Sequence, residues 1–192
     1  MEKVCRDWAK QAFGEGLVDA KYWDEFAINA QTAAAEVYKV KDFAAGEAKL
    51  KELLAQYAPK EIIAVGGEEN PALHDIYERI GKDGTQIYTD KFDIYDHRDS
   101  ADVGISTAEF CVAETGSLCV DNYSYEARVT SMLPFVNIVF VNANYIVKDV
   151  SVACQIIGKV FDRAILALLP VQAVPQILSV SSVWAYMVLT SC

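Results

Sequence analysis

The sequence predicts an α/β fold, a mostly parallel sheet flanked by helices, on three observations. EIIAV at 61–65 and FVNIVFV at 135–141 are short runs that stay apolar on both faces, as strands buried on both sides of a sheet do. Each is followed by a stretch with helical periodicity, and that alternation builds a parallel sheet covered on both faces. A chain of 192 residues holds one such domain with a real core, not two.

The elements follow in order. Residues 1–24 are expected to form a helical lead-in. Between Asp42 and Tyr57, Leu50, Leu53, Leu54 and Tyr57 recur at helical spacing and Glu47 stands four residues before Lys51, which predicts an amphipathic helix. After the strand at 61–65, Asn70 supplies an N-cap and Pro71 a first turn. Leu73, Ile76, Tyr77 and Ile80 then form the buried stripe, and Gly81 is the expected stop. In ADVGISTAEFCVAETGSLCVDN (101–122), Gly104 and Gly116 break the β-prone runs FCVA and SLCV into a strand–turn–strand. Beyond the strand at 135–141, Asp149 opens a helix carrying Val150, Ala153, Cys154, Ile157 and Phe161. No internal repeat or low-complexity linker interrupts this order.

Charge excludes whole classes of partner. Asp and Glu number 27 against 17 Lys and Arg, a formal net charge of -10 with no basic stripe, so the electrostatic term for nucleic acids and anionic membrane surfaces has the wrong sign. Five cysteines (Cys5, Cys111, Cys119, Cys154, Cys192) without a C-x-x-C pair, and only two histidines, His74 and His97, argue for a reducing compartment. They argue against a zinc site or an iron–sulfur cluster held by this chain alone. Each cysteine reads as a small buried hydrophobe. The opening MEKVCRDWAKQAF has no apolar signal region and reads as cytoplasmic. Hydrolase, zincin and P-loop readings fall away for want of G-x-S-x-G, H-E-x-x-H and Walker sequences.

Three clusters could carry chemistry. GGEENP (66–71) joins a strand to a helix N-terminus, so Gly66 and Gly67 open either an anion-binding loop or a plain tight turn. Asp96, His97, Arg98 and Asp99 are either an acid–base group or a solvated loop of mixed charge. ETGS places Glu114, Thr115 and Ser117 around Gly116 in an otherwise apolar stretch, where a carboxylate must be paired, exposed in a cleft, or shifted in pKa.

ADVGISTAEFCVAETGSLCV, with EARVTSMLPFVNIVFVNANYIV after it, resembles the LUD domain family, the lactate-utilisation proteins, of the lactate-utilisation protein C-like type. The family pattern runs approximately Asp-Val-Gly-Ile-Thr, Ala-Glu-Thr-Gly-Thr, an Arg before Leu-Pro, a strand and an Ile-Val pair. Asp102, Val103, Gly104, Ile105, Ala113, Glu114, Thr115, Gly116, Arg128, Leu133, Pro134, Ile146 and Val147 match it in order and spacing. Asn137 departs from it, standing where many members have a His. The resemblance implies a NagB/RpiA/CoA-transferase-like fold over an α/β domain at 25–166. It also implies a role in oxidising L-lactate to pyruvate as a small subunit, with iron–sulfur clusters only on partner subunits and no cofactor in this chain. It adds Gly104 and Arg128 to Gly66, Gly67, Thr115, Gly116 and Ser117 as candidate residues for a small organic acid or other anionic ligand. Glu114 is the candidate catalytic residue by fold analogy, since CoA transferases of this broad fold use a Glu on a similar turn. Two alternatives stand beside lactate oxidation: a non-catalytic assembly or ligand-binding module, and an acyl or CoA transferase acting through Glu114.

The C-terminal stretch carries a separate signal. From Ala164 to Cys192, 29 residues contain no Asp, Glu, Lys or Arg. The family continues after its last helix with Gly-Pro-Ser-Arg-Thr-Ala-Asp-Ile-Glu and ends near Gly-Val-His-Gly-Pro-Asp-Glu; this chain has neither. Yet the genetic code permits both in a neighbouring frame: with suitable synonymous codons, PVQAVPQILS can encode GPSRTADIE and WAYMVLTSC can encode GVHGPDEL when each new codon takes the third base of one codon and the first two of the next. A one-nucleotide loss near codons 164–168 would make residues 167–192 an out-of-frame tail, expected to leave a sheet edge or core face uncovered. A membrane anchor is the rival, because 29 uncharged residues exceed the ~20 needed to span a bilayer. Against it stand Pro170, Pro175, Gln172, Gln176 and the absence of a basic flank beyond Arg163, so no membrane span is expected.

Overall fold

The computed structural model describes residues 7–120, 124–160, 168–169 and 183–189. The elements run α1 (Trp8–Gln11), a 3-10 turn (Ala20–Tyr22), α2 (Trp23–Thr32), β1 (Ala35–Val40), α3 (Phe43–Tyr57), β2 (Glu61–Ala64), α4 (Pro71–Lys82), β3 (Gln86–Tyr88) and α5 (Lys91–His97). They continue with β4 (Val103–Thr107), β5 (Phe110–Val112), β6 (Ser117–Cys119), α6 (Tyr125–Met132), β7 (Val136–Asn142), β8 (Ile146–Val147), α7 (Val150–Val160), β9 (Leu168–Leu169) and β10 (Val183–Leu189).

The main sheet has six strands in the order β1-β10-β7-β4-β2-β3, every neighbouring pair parallel. Strand alternation then sorts the core. Ile62, Ala64, Val103, Ile105, Ile138 and Phe140 face α3 and α4 through Leu50, Leu53, Leu73, Ile76 and Ile80. On the opposite face Ile63 meets Ile94 of α5 and Val129 of α6. Val139 and Val141 meet Phe26 and Ala30 of α2. Fully burying such side chains stabilises the fold by about 1.5–3 kcal/mol each, so these two layers hold the parallel sheet in place.

A second, four-stranded sheet of order β8-β5-β6-β9 is also covered on both faces. Cys111, Ala113 and Leu118 pack towards α2, while Phe110, Val112 and Cys119 pack against Trp8, Ala153 and Ile156 of α1 and α7. The antiparallel pairing of β5 with β6 is the expected strand–turn–strand.

Several sequence expectations need correction. Gly81 does not stop α4, which runs to Lys82 with Asp83 as its C-cap; the left-handed glycine is Gly84, at φ +94°. Gly104 lies inside β4 rather than breaking a run, because helix α6 passes too close for a side chain there. Cys154 is exposed, since the inward face of α7 is set by Ala153 and Ile156 and Cys154 lies about 100° around the helix from Ala153. Phe161 lies outside the described residues. Within the lead-in, the described residues form α1, a 3-10 turn and the start of α2, and the Leu17 N–H donates to the Gly14 carbonyl between the first two. Within the described part of the tail, the backbone of β10 fills the slot between β1 and β7 in full register, so no gap opens in the sheet there.

Candidate functional site

The carboxyl ends of the parallel strands carry a cleft of about 250 Å³, built from the β2–α4 loop, the β3–α5 junction and the first turn of α6. Crevices outside the carboxyl ends of parallel strands are where open α/β sheets bind ligands. Gly66 turns the chain at φ +90°, and a β-carbon there would lie 2.7 Å from Thr107 Cγ2. Gly67 packs on the ring of Tyr77, its would-be β-carbon 3.1 Å away. Asn70 then starts α4, its Oδ1 accepting from the Ala72 and Leu73 N–H groups at 3.1 and 3.4 Å.

The Tyr77 hydroxyl donates to the Val65 carbonyl at 3.0 Å, and burial pushes its pKa well above the ordinary tyrosine value. The ring is therefore a fixed, neutral wall. Asp90 caps α5 by accepting from Phe92 N–H at 2.8 Å. Glu68, Asp90 and Glu126 bring carboxylates to the cleft, and His74 and Thr89 complete it. The Ala72 and Leu73 N–H groups are taken by the Asn70 side chain and the His74 N–H by the Asn70 carbonyl, so the side-chain donors that this lining offers an anion are the His74 ring and the Thr89 hydroxyl.

The structure brings Gly66 and Gly67 together in this cleft and puts the other candidates elsewhere. Glu114 and Thr115 are exposed and Gly116 and Ser117 buried, on the β5–β6 hairpin of the small sheet. The Glu114 carboxylate accepts from Val150 N–H at 3.2 Å, at the start of α7. Its backbone N–H donates to the Lys148 carbonyl at 3.0 Å. Asn29 Nδ2 donates to the Ala113 and Glu114 carbonyls at 2.8 and 3.1 Å. At Gly116, φ is +65° and a β-carbon would lie 2.2 Å from Ala30 N, so only glycine lets α2 close on the hairpin. Gly104 sits beneath α6, and Arg128 is exposed on that helix. Asn137 is buried in β7, its Nδ2 donating to the Pro134 carbonyl at 3.0 Å.

His97 ends α5 and does not pair with the aspartates beside it in sequence. Its Nδ1 lies 3.2 Å from Glu61 Oε2, its ring stacks on Tyr88 at 3.7 Å, and Ser100 Oγ donates to the same carboxylate. The Ser100 hydrogen bond, followed by those from His97, holds the Glu61 carboxyl below its ordinary pKa. The group lies at the amino end of β2, away from the cleft. His74, Tyr77, Thr89, Asp90 and Glu126 are cleft residues that the sequence reading did not select; recognising QIY (86–88) as a strand would have placed Thr89 and Asp90 at its carboxyl end.

Among the described residues, no group of three or more His, Cys, Asp or Glu side chains is placed to hold a metal ion. None of their helices is long and apolar enough to cross a membrane.

A six-stranded parallel sheet between helices, with a cleft at its carboxyl ends, defines an α/β domain. The LUD domain model matches residues 23–168, and the chain belongs to the LUD domain family, which is associated with lactate utilisation. No curated protein matches the chain. Among solved structures, the chain is similar to a DUF162 family protein from Deinococcus radiodurans. That match has 18% identity and a TM-score of 0.67 and covers 88% of this chain and 97% of that one. At that identity the likeness concerns the fold.

Proposed function

We propose that the chain is a cytoplasmic small subunit in the oxidation of L-lactate to pyruvate, acting beside partner subunits that carry the iron–sulfur clusters. The observation that carries this reading is the family match over 23–168, and the cleft of Gly66, Gly67, His74 and Tyr77 supports it with a place for a small organic acid. The carboxylate of lactate suits the His74 and Thr89 side-chain donors of the cleft, and Tyr77 excludes water from one side of it. Oxidation of lactate to pyruvate would release two electrons, which clusters on the partner subunits would accept, and two protons, which would pass to solvent. The test is reconstitution of the chain with those partners and an assay of lactate-dependent dye reduction. Gly67→Val, which crowds Tyr77, should raise the lactate KM. An unchanged KM would remove the cleft from the reaction.

One observation favours the assembly reading over the transferase reading for the hairpin: Glu114 is spent on the Val150 N–H and its backbone on Asn29 and Lys148. An acyl-glutamyl adduct on Glu114, detected by mass spectrometry, would reverse that preference. We also propose that residues from about 167 onward are an out-of-frame product. VWAYMVL is uncharged and apolar throughout, so it suits a central strand whatever frame encoded it. Codons across 160–192 that cannot encode GPSRTADIE and GVHGPDEL in the neighbouring frame would sink this proposal.

A further inference from the structure

Among the described residues, six of the eight exposed large hydrophobic side chains lie on α5, α6 and the turn after α6. They are Phe92, Tyr95, Tyr125, Met132, Leu133 and Phe135, with exposures of 69, 51, 38, 54, 52 and 57%. The two helices touch through Tyr95 and Tyr125, whose ring centroids are 5.5 Å apart. Phe92 stands three residues before Tyr95 on α5, and Met132 stands seven after Tyr125 on α6, with exposed Arg128 between them. Those spacings put each set on one helix face. Side chains of this size offer about 150–250 Å² each, so the six leave on the order of 600 Å² of apolar surface in water, the upper end of what a monomer carries.

We infer that this α5–α6 face is the interface of a two-fold homodimer, a second copy of the chain covering the first. Area is the first argument. Pairing the patch with itself removes about 1,200 Å² of surface, the lower bound for a stable specific interface, and an isologous contact is the commonest way for a chain to associate. Composition is the second: aromatic residues, Met and Arg are what interface cores concentrate. Charge is the third. The chain has a net charge of -10, yet along residues 91–99 and α6, Lys91, Arg98 and Arg128 stand among Asp93, Asp96, Asp99 and Glu126, three against four. Self-repulsion is thus concentrated elsewhere, and a two-fold axis sets the cations of one copy against the aspartates of the other. Lys91 and Arg98 already lie over the Phe92 and Tyr95 rings, at 4.8 and 4.2 Å from their centroids, which keeps the cations at the rim of the apolar centre. Glu126 of α6 also lines the cleft, so the second copy would stand beside the ligand site.

The experiment is sedimentation velocity on the purified full chain from low to high micromolar concentration. The expected result is a monomer–dimer equilibrium whose Kd rises about tenfold or more in Phe92→Asp and in Met132→Gln. Ile28→Asp, at an exposed site on α2, should leave the Kd unchanged. A chain that stays monomeric throughout, with the face taken up only when a different protein is added, overturns the inference. So does a dimer indifferent to both patch variants, or open-ended growth beyond the dimer.

Discussion

A β-carbon on Gly104 would lie 2.1 Å from the Thr130 carbonyl oxygen, so the glycine is what allows helix α6 to lie directly on strand β4. Asn137 Oδ1 and Pro134 Cγ close the same space, each 3.0 Å from that position. Gly104→Ala therefore has to push a helix backbone off the sheet. The expected cost is about 1–3 kcal/mol, read as a lower urea midpoint with an unchanged slope. An unaltered midpoint would mean that the helix does not approach the strand this closely in solution.

Glu47 joins α3 to α4. Arg79 Nε and Nη2 donate to its two carboxylate oxygens at 3.0 and 2.7 Å, and Lys51 lies 3.4 Å away. The Arg79 hydrogen bonds, more than those of Lys51, hold the Glu47 carboxyl below its ordinary value of 4.5. A carboxyl depressed in the folded state stabilises above the unfolded pKa, and loses that contribution as pH falls through the folded value. Arg79→Met should lower the urea midpoint modestly at neutral pH. The difference should vanish in acid, below the folded pKa. A difference that persisted there would mean that Arg79 acts through packing of its stem rather than through the ion pair.

Glu114→Gln keeps the shape of the side chain and an oxygen that can still accept from Val150 N–H, 3.2 Å from the carboxylate. If Glu114 holds the start of α7, lactate-dependent turnover in the assembled complex should stay within about twofold, while Glu114→Ala lowers stability by about 0.5–2 kcal/mol as a lost cap does. A hundredfold fall in turnover for the Gln variant, with stability unchanged, would instead give the carboxylate a chemical role.

Cys111 and Cys119 are buried between the layers and Cys154 is exposed on α7. Burial pushes the Cys111 thiol well above its ordinary pKa, and the thiolate is the reactive form. Iodoacetamide on the native chain should therefore modify Cys154 while sparing Cys111 and Cys119, as peptide mapping would read. Early labelling of Cys111 would show that the small sheet opens.

What was legible in the sequence was local. Asp42 caps α3, Asn70 and Pro71 begin α4, and Asp149 accepts from Val152 N–H at the start of α7, each where periodicity and capping put it. Strands β2 and β7 stood out because they are buried on both faces. What escaped was set by distant partners. VGIST of β4 contains a glycine that only the approach of α6 explains, and β10 is a strand because β1 and β7 flank it. The same holds for the cleft. Its glycines are visible in GGEENP, but Thr89, Asp90 and Glu126 reach it only once β3 and α6 are in place. His97 likewise reads as part of either an acid–base group or a solvated loop, and it meets Glu61, 36 positions away.

Whether the chain acts in lactate oxidation is read from pyruvate formation from L-lactate by the proposed iron–sulfur partners, with and without this chain. Omitting the chain should abolish lactate-dependent turnover, and adding it back should restore it. Full turnover in its absence would contradict the proposed role.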